Sequence, residues 1–362
     1  MKAGILTYYG VHNHGAVLQA NGLQRVLENM GHDVHILSFE RSYEYISAEQ
    51  TKKYKLGFSS IPFYFKYMLE KGAGNILYNL RKSNTLKAFR TASFNLDTTY
   101  DCFQGDVVII GSDEVFSLEL GYNPMMYGYG LRAKRIISYA GSFGPTTLQE
   151  IEAKGKTAAI QQGLDQFNAI SVRDQNSKNI IRTLCGKDIP LTCDPVILYG
   201  YEKEMSEFKP SETGYIVIYS YDSRLNDPAE VNAIKSYASK HGLKTCSVGF
   251  YHKWCDKNIN ASPKELLGWI RNANLTITNT FHGAVLSIIC NTPMAVKLHG
   301  NSNKLAHLLS EYGLSGRILD TADDLEKVSQ MKIDFNYVNL RLKEERTTSR
   351  QYLQSAIEGQ SC

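Results

Sequence analysis

Short apolar runs rich in β-branched residues recur along the chain, each followed by a stretch of helical spacing, and this alternation restricts the fold more than any other feature. AGILTY at 3–8 reads as a strand, Ala16–Met30 as a helix, Gly31 as its stop and HDVHILSF at 32–39 as the next strand. VVIIG (107–111), IISYAG (136–141), a helix over 147–167 and AISV (169–172) continue the series. The polar segment 199–214, with Pro and Gly among its charges, reads as a crossing between domains. A second series follows: YIVIYS (215–220), a helix over 228–241, TCSVGF (245–250), a helix over 263–272, LTITN (275–279), AVKL (295–298), a helix over 303–312 and RILD (317–320). Such alternation predicts parallel sheets flanked by helices. The expected fold class is therefore α/β, with two Rossmann-like doubly wound domains, 1–200 and 201–362, and an inter-domain cleft where the carboxyl ends of the strands face each other. Tyr337–Ile357 reads as a long polar helix that packs back across the first domain.

A length of 362 residues suits two such domains. Hydrophobic content of 43% and charged content of 21% fit a soluble globular enzyme. The balance of 40 basic and 36 acidic residues is too mild to argue for nucleic acid, but it suits an anionic ligand in a local basic pocket. The seven cysteines lack any CxxC spacing, so the expectation is free thiols in a reducing compartment and no metal site. No charged segment followed by an apolar one opens the chain, and no run approaches the ~20 apolar residues of a spanning helix. A cytoplasmic location follows as the expectation. Within an aromatic-rich insertion near 45–100, Phe63, Tyr64, Phe65, Tyr67 and Met68 among lysines could meet a membrane surface, although a partly buried helix pair is the favoured reading.

The segment with most chemistry is TITNTFHGAVLSIICNTPMAV (276–296): a strand, a short turn and an apolar helix. A helix N-terminus offers unpaired N–H groups and partial positive charge to phosphate or carboxylate. His282 sits there and could bind an anion or move a proton. The competing reading makes Thr280 a helix cap and His282 an ordinary turn residue.

This Thr-Phe-His-Gly turn (280–283), upstream of Asn291-Thr292-Pro293, resembles the signature of the polysaccharide pyruvyltransferase family. Further segments resemble that family in the same order: Asn13-His14-Gly15 with VLQANGLQ, GSDEVF (111–116), SYAGSFG (138–144), SVRD (171–174), CDPV (193–196) and SPKELLGWIRNAN (262–274). One departure is Thr280, where some relatives carry an arginine two residues before the histidine. The resemblance implies a GT-B-type arrangement with the acceptor on the first domain and the donor on the second. It implies pyruvyl transfer from phosphoenolpyruvate to a sugar of a bacterial surface polysaccharide, with no cofactor or metal and a lipid-linked acceptor as one option.

The same resemblance assigns roles. His282 and Asp113 become catalytic candidates. Arg173, Thr280, Phe281, Gly283 and Lys304 fall to the donor, Arg173 because a guanidinium fork pairs with carboxylate or phosphate. Asn13, His14 and Glu114 fall to the acceptor. Asp194, before Pro195, reads as structural. The alternatives are a GT-B glycosyltransferase using a nucleotide sugar, since fold does not fix chemistry, and a non-catalytic sugar-binding subunit.

Overall fold

In the computed structural model, which describes residues 1–51, 61–221, 223–298, 303–321 and 324–360, two all-parallel sheets lie one after the other along the chain. The first contains β1 (Lys2–Leu6), β2 (Asp33–Ile36), β3 (Val107–Ile110) and β4 (Arg135–Ser138) in the order β2-β1-β3-β4. The second contains β5 (Tyr215–Tyr219), β6 (Lys244–Val248), β7 (Lys257–Ile259), β8 (Leu275–Thr278), β9 (Met294–Lys297) and β10 (Ile318–Leu319) in the order β10-β9-β8-β5-β6-β7. The expected two-domain α/β architecture is thus what the chain forms.

The apolar runs are continuous because both faces of each sheet are covered. Ala3, Ile5, Val107 and Ile109 point into one core, while Leu6, Val108 and Ile110 point into another. In the second sheet Tyr215, Val217 and Tyr219 alternate in the same way with Ile216 and Ile218. The first of these cores is shared: Leu18 and Leu23 of the His14–Asn29 helix belong to the same buried cluster as Leu267, Val285 and Leu286.

That helix is the main bridge between the sheets. Gly22 lets it approach the Pro195–Tyr199 helix so closely that a Cβ there would lie 2.7 Å from the Pro195 carbonyl oxygen. The Tyr201 hydroxyl donates to the Leu18 carbonyl at 2.6 Å. At the other end, Arg346 Nε donates to the Ile197 carbonyl and the Tyr352 hydroxyl to the Ser138 carbonyl, which docks the Phe335–Glu358 helix on the first domain.

Three segments depart from the sequence expectations. The helix expected over 147–167 is two, Leu148–Ala153 and Thr157–Asp165, separated at Gly155, whose φ of 61° is left-handed. AISV forms isolated parallel bridges rather than a strand. The crossing segment holds a short helix, Glu202–Glu207. In the insertion, the Ile61–Ser93 helix breaks at Gly72. The side chains of Phe63, Tyr64, Phe65, Tyr67 and Met68 lie outside the described residues. No described helix is long and apolar enough to cross a membrane.

His14, assigned to the acceptor on sequence grounds, is corrected here: it is fully buried, and its Nε2 lies 2.8 Å from the Ala261 carbonyl of the second domain. A ring held by an acceptor and shut away from water has no face left for a sugar. Burial, reinforced by Lys82, pushes its pKa down to about 3. Below its ordinary value of 6.5 the unfolded chain takes up a proton that the native ring refuses, so stability falls as pH drops through that window. We expect His14→Gln, which keeps an N–H for Ala261, to flatten denaturant-derived stability against pH by about 2 kcal/mol between pH ~6.5 and ~5. An unchanged slope would contradict this account of His14.

Candidate active site

The site is assembled where loops leave the carboxyl ends of the first sheet. Beyond β3 and β4 the chain continues side by side, with Asp113 bridged to Gly141, Gly141 to Val172 and Val172 to Leu191. These parallel bridges set Asp113, Arg173 and Asp194 next to one another. Asp113 has φ 72°, a left-handed conformation that non-glycine residues seldom adopt and that aims its carboxylate across this row.

Arg173 is the centre of the row, with only 4% of its side chain exposed. Its Nη1 donates to Asp194 Oδ2 at 3.1 Å and its Nη2 to Asp113 Oδ1 at 3.2 Å. Burial works against the guanidinium charge, but Asp113 and Asp194 outweigh it and raise the pKa above its ordinary value. Asp194 also caps the next helix, accepting from the Val196 N–H through Oδ1 at 2.9 Å. Burial pushes its carboxyl up, yet His282 and Arg173 hold it below the usual carboxylate range.

From the second domain comes the His282 ring. β8 ends at Thr278, whose Oγ1 accepts from the Thr280 N–H, and Thr280 Oγ1 caps the Phe281–Ile289 helix by accepting from Gly283 N–H at 3.0 Å. This turn aims His282 Nε2 at Asp194 Oδ2, 3.6 Å away, so the oxygen that takes Arg173 also faces the imidazole. Gly15 supplies the floor: a Cβ at that position would lie 2.2 Å from His282 Cγ. The Phe281 ring lies under both cations, 5.0 Å from Arg173 Cζ and 6.0 Å from Lys304 Nζ.

The structure therefore brings His282, Arg173, Asp113, Phe281 and Lys304 to one inter-domain place. Lys304 pairs with Glu114 across the domains. Asn13 lies close by, its Oδ1 accepting from the Gly15 N–H and its Nδ2 donating to the Tyr221 hydroxyl at 3.0 Å. Thr280 Oγ1 and the Gly283 N–H are bonded to each other as cap and first turn, which holds the turn that carries His282. A cavity of about 260 Å³ opens beside Arg173, Asp194, Phe281 and Lys304, bounded by the Asn303–Glu311 and Phe335–Glu358 helices. A roomier hollow of about 480 Å³, against Arg271, Arg346 and Arg350, contains none of the expected site residues.

Sequence reasoning underrated Asp194. An aspartate before proline looks like a helix cap, which it is, and its second oxygen goes unannounced. The signal was its place in CDPV, within the ordered set of motifs. Tyr221 and the contact made by Gly15 carried no signal at all.

The fold is that of two-domain α/β proteins of the GT-B kind. UDP-GlcNAc 2-epimerase from Methanocaldococcus jannaschii superimposes with a TM-score of 0.50 at 12% identity, over 92% of this chain and 93% of that one. The glycosyltransferase SnogD from Streptomyces nogalater gives a TM-score of 0.44 at 11% identity, over 99% and 98%. The UDP-GlcNAc 2-epimerase from Neisseria meningitidis gives 0.46 at 9%, also over 99% and 98%. None of the curated protein sequences matches this chain significantly. The polysaccharide pyruvyl transferase family model matches residues 13–299, most of the chain, and the protein belongs to that family.

Two variants probe the geometry. Removing one partner of a buried ion pair strands the other, so Asp194→Ala should cost about 3 kcal/mol or more in urea denaturation. Gly15→Ala should push the His282 ring aside, lowering turnover at least tenfold while leaving the circular dichroism spectrum unchanged. Full activity of Gly15→Ala would show that the ring position is not critical.

Proposed function

We propose that this family member transfers the pyruvyl group of phosphoenolpyruvate to two hydroxyls of one sugar in a bacterial surface polysaccharide or its lipid-linked precursor, forming a cyclic ketal. The observation that carries the reading is the sharing of Asp194 Oδ2 by Arg173 and His282. The Asp194 carboxylate faces the imidazole across 3.6 Å, and an imidazole placed in this way is a candidate proton donor to carbon.

In this scheme a protonated His282 delivers a proton to the donor methylene, and C2 becomes an electrophilic oxocarbenium centre. The first sugar hydroxyl attacks C2 and gives its proton to a base. Phosphate then leaves with the C2–O electron pair, and the second hydroxyl attacks the regenerated cation. Overall, one hydroxyl proton ends on the new methyl group and the other on phosphate. Asp113 is the candidate base: its side chain is 20% exposed, against 1% for Asp194, and only Oδ1 is held by Arg173. Arg173, gripped on both sides, acts by positioning the two carboxylates. The scheme relies on charge placement and proton transfer.

Phosphate release from phosphoenolpyruvate in the presence of glycosides, with mass spectrometry for the ketal, tests the reading. His282→Ala should lower turnover at least a hundredfold, the lower range for loss of a general acid. Near-normal turnover of that variant would remove His282 from catalysis. Transfer from a nucleotide sugar without any phosphoenolpyruvate dependence would overturn the function itself.

A further inference from the structure

Charge matching at the site is incomplete for an anionic substrate. Arg173 is engaged by Asp113 and Asp194, and Lys304 by Glu114. Two cations thus face three carboxylates, and Thr280 stands where some relatives have an arginine. An incoming phosphate needs a cation that is not already paired.

Among the described residues, Arg41 meets that description. Arg41 lies in the loop after β2, the strand beside β1. Its guanidinium carbon stacks 4.1 Å from the centre of the Tyr8 ring and 6.0 Å from that of Tyr43. Its Nε is buried with no hydrogen-bond partner, and no described carboxylate pairs with it. The nearby Glu44 is occupied, accepting from the Tyr122 N–H at 3.1 Å with Lys156 3.9 Å away.

Tyr8 fixes where this arginine stands relative to the site. The Thr7 hydroxyl donates to the Ser112 carbonyl at 3.0 Å just beyond the paired strands β1 and β3, so Tyr8 and Asp113 each follow one member of a bonded pair. The Tyr8 hydroxyl accepts from Asn123 Nδ2 at 3.2 Å, and Asn123 Oδ1 accepts from the Ser42 N–H at 2.7 Å, which ties the Arg41 loop to the same spot. Tyr8 also feels the charges of Arg41, Asp113 and Glu114 together. A guanidinium held over an aromatic ring spends no N–H on that contact, so its donors remain for oxyanions.

We propose that Arg41 binds a phosphate group of the substrate at the rim of the Asp113–Arg173–His282 site. Resting on the pyruvyl-transfer reading, we assign that phosphate to the phosphoenolpyruvate donor. The same oxyanion chemistry would serve a phosphorylated acceptor, and the test separates the two.

The full chain is titrated calorimetrically with phosphoenolpyruvate, inorganic phosphate and glucose 1-phosphate. Arg41→Met should raise the Kd for phosphoenolpyruvate and for phosphate at least tenfold, and Arg41→Lys should recover part of the loss. An unaltered melting temperature for Arg41→Met separates this from misfolding, and donor KM should rise far more than kcat falls. A loss confined to glucose 1-phosphate would support phosphate binding but move it to the acceptor. Arg41-dependent binding of phosphate by a protein that ignores phosphoenolpyruvate would uphold the arginine's role and sink the pyruvyl-transfer reading. Equal affinities of the wild type and Arg41→Met for all three probes, or no binding of any by the wild type, would overturn the proposal.

Discussion

A single buried carboxylate oxygen organises the molecule's chemistry. Asp194 Oδ2 takes the Arg173 guanidinium from its own domain and faces the His282 imidazole from the other. Desolvating an aspartate this far is unfavourable unless cations and donors surround it, and here they do. Everything nearby is arranged to keep that environment constant: the parallel bridges that line up Asp113, Val172 and Leu191, the threonine cap that orients the histidine, and the glycine that admits its ring.

The fold grows from a simpler rule with the same result. Parallel strands covered on both faces leave polar loops to their ends, and functional side chains collect in the loops outside the carboxyl ends. The loops after β1, β2 and β3 provide Tyr8, Arg41 and Asp113 respectively, and the turn after β8 provides His282. Side chains more than 200 residues apart, such as Asn13 and Tyr221, then meet through a hydrogen bond.

Much of this was legible in the sequence, and the exceptions have physical reasons. The strands could be read because VVII and YIVIY are apolar at every position, which only a doubly covered sheet tolerates. His282 stood out through the family-like Thr-Phe-His-Gly turn, since its place at the start of an apolar helix alone left an ordinary turn residue equally open. The split at Gly155 was missed because helical spacing resumes in phase with no proline to mark the break. His14 misled because a polar loop residue looks exposed, whereas its partner is a carbonyl from a segment almost 250 residues later, which local pattern cannot reveal. Arg41 escaped notice for the opposite reason: nothing in its neighbourhood in sequence distinguishes it from a surface arginine, and that no described carboxylate pairs with it is a property of three dimensions.

The unbroken apolar cluster beneath both sheets carries a mechanical consequence. Pulling the halves apart would wet Leu18, Tyr201, Leu267 and Val285 at once, a hydration cost that wide breathing about a hinge would have to meet on every cycle. The shared core therefore opposes wide separation of the two halves.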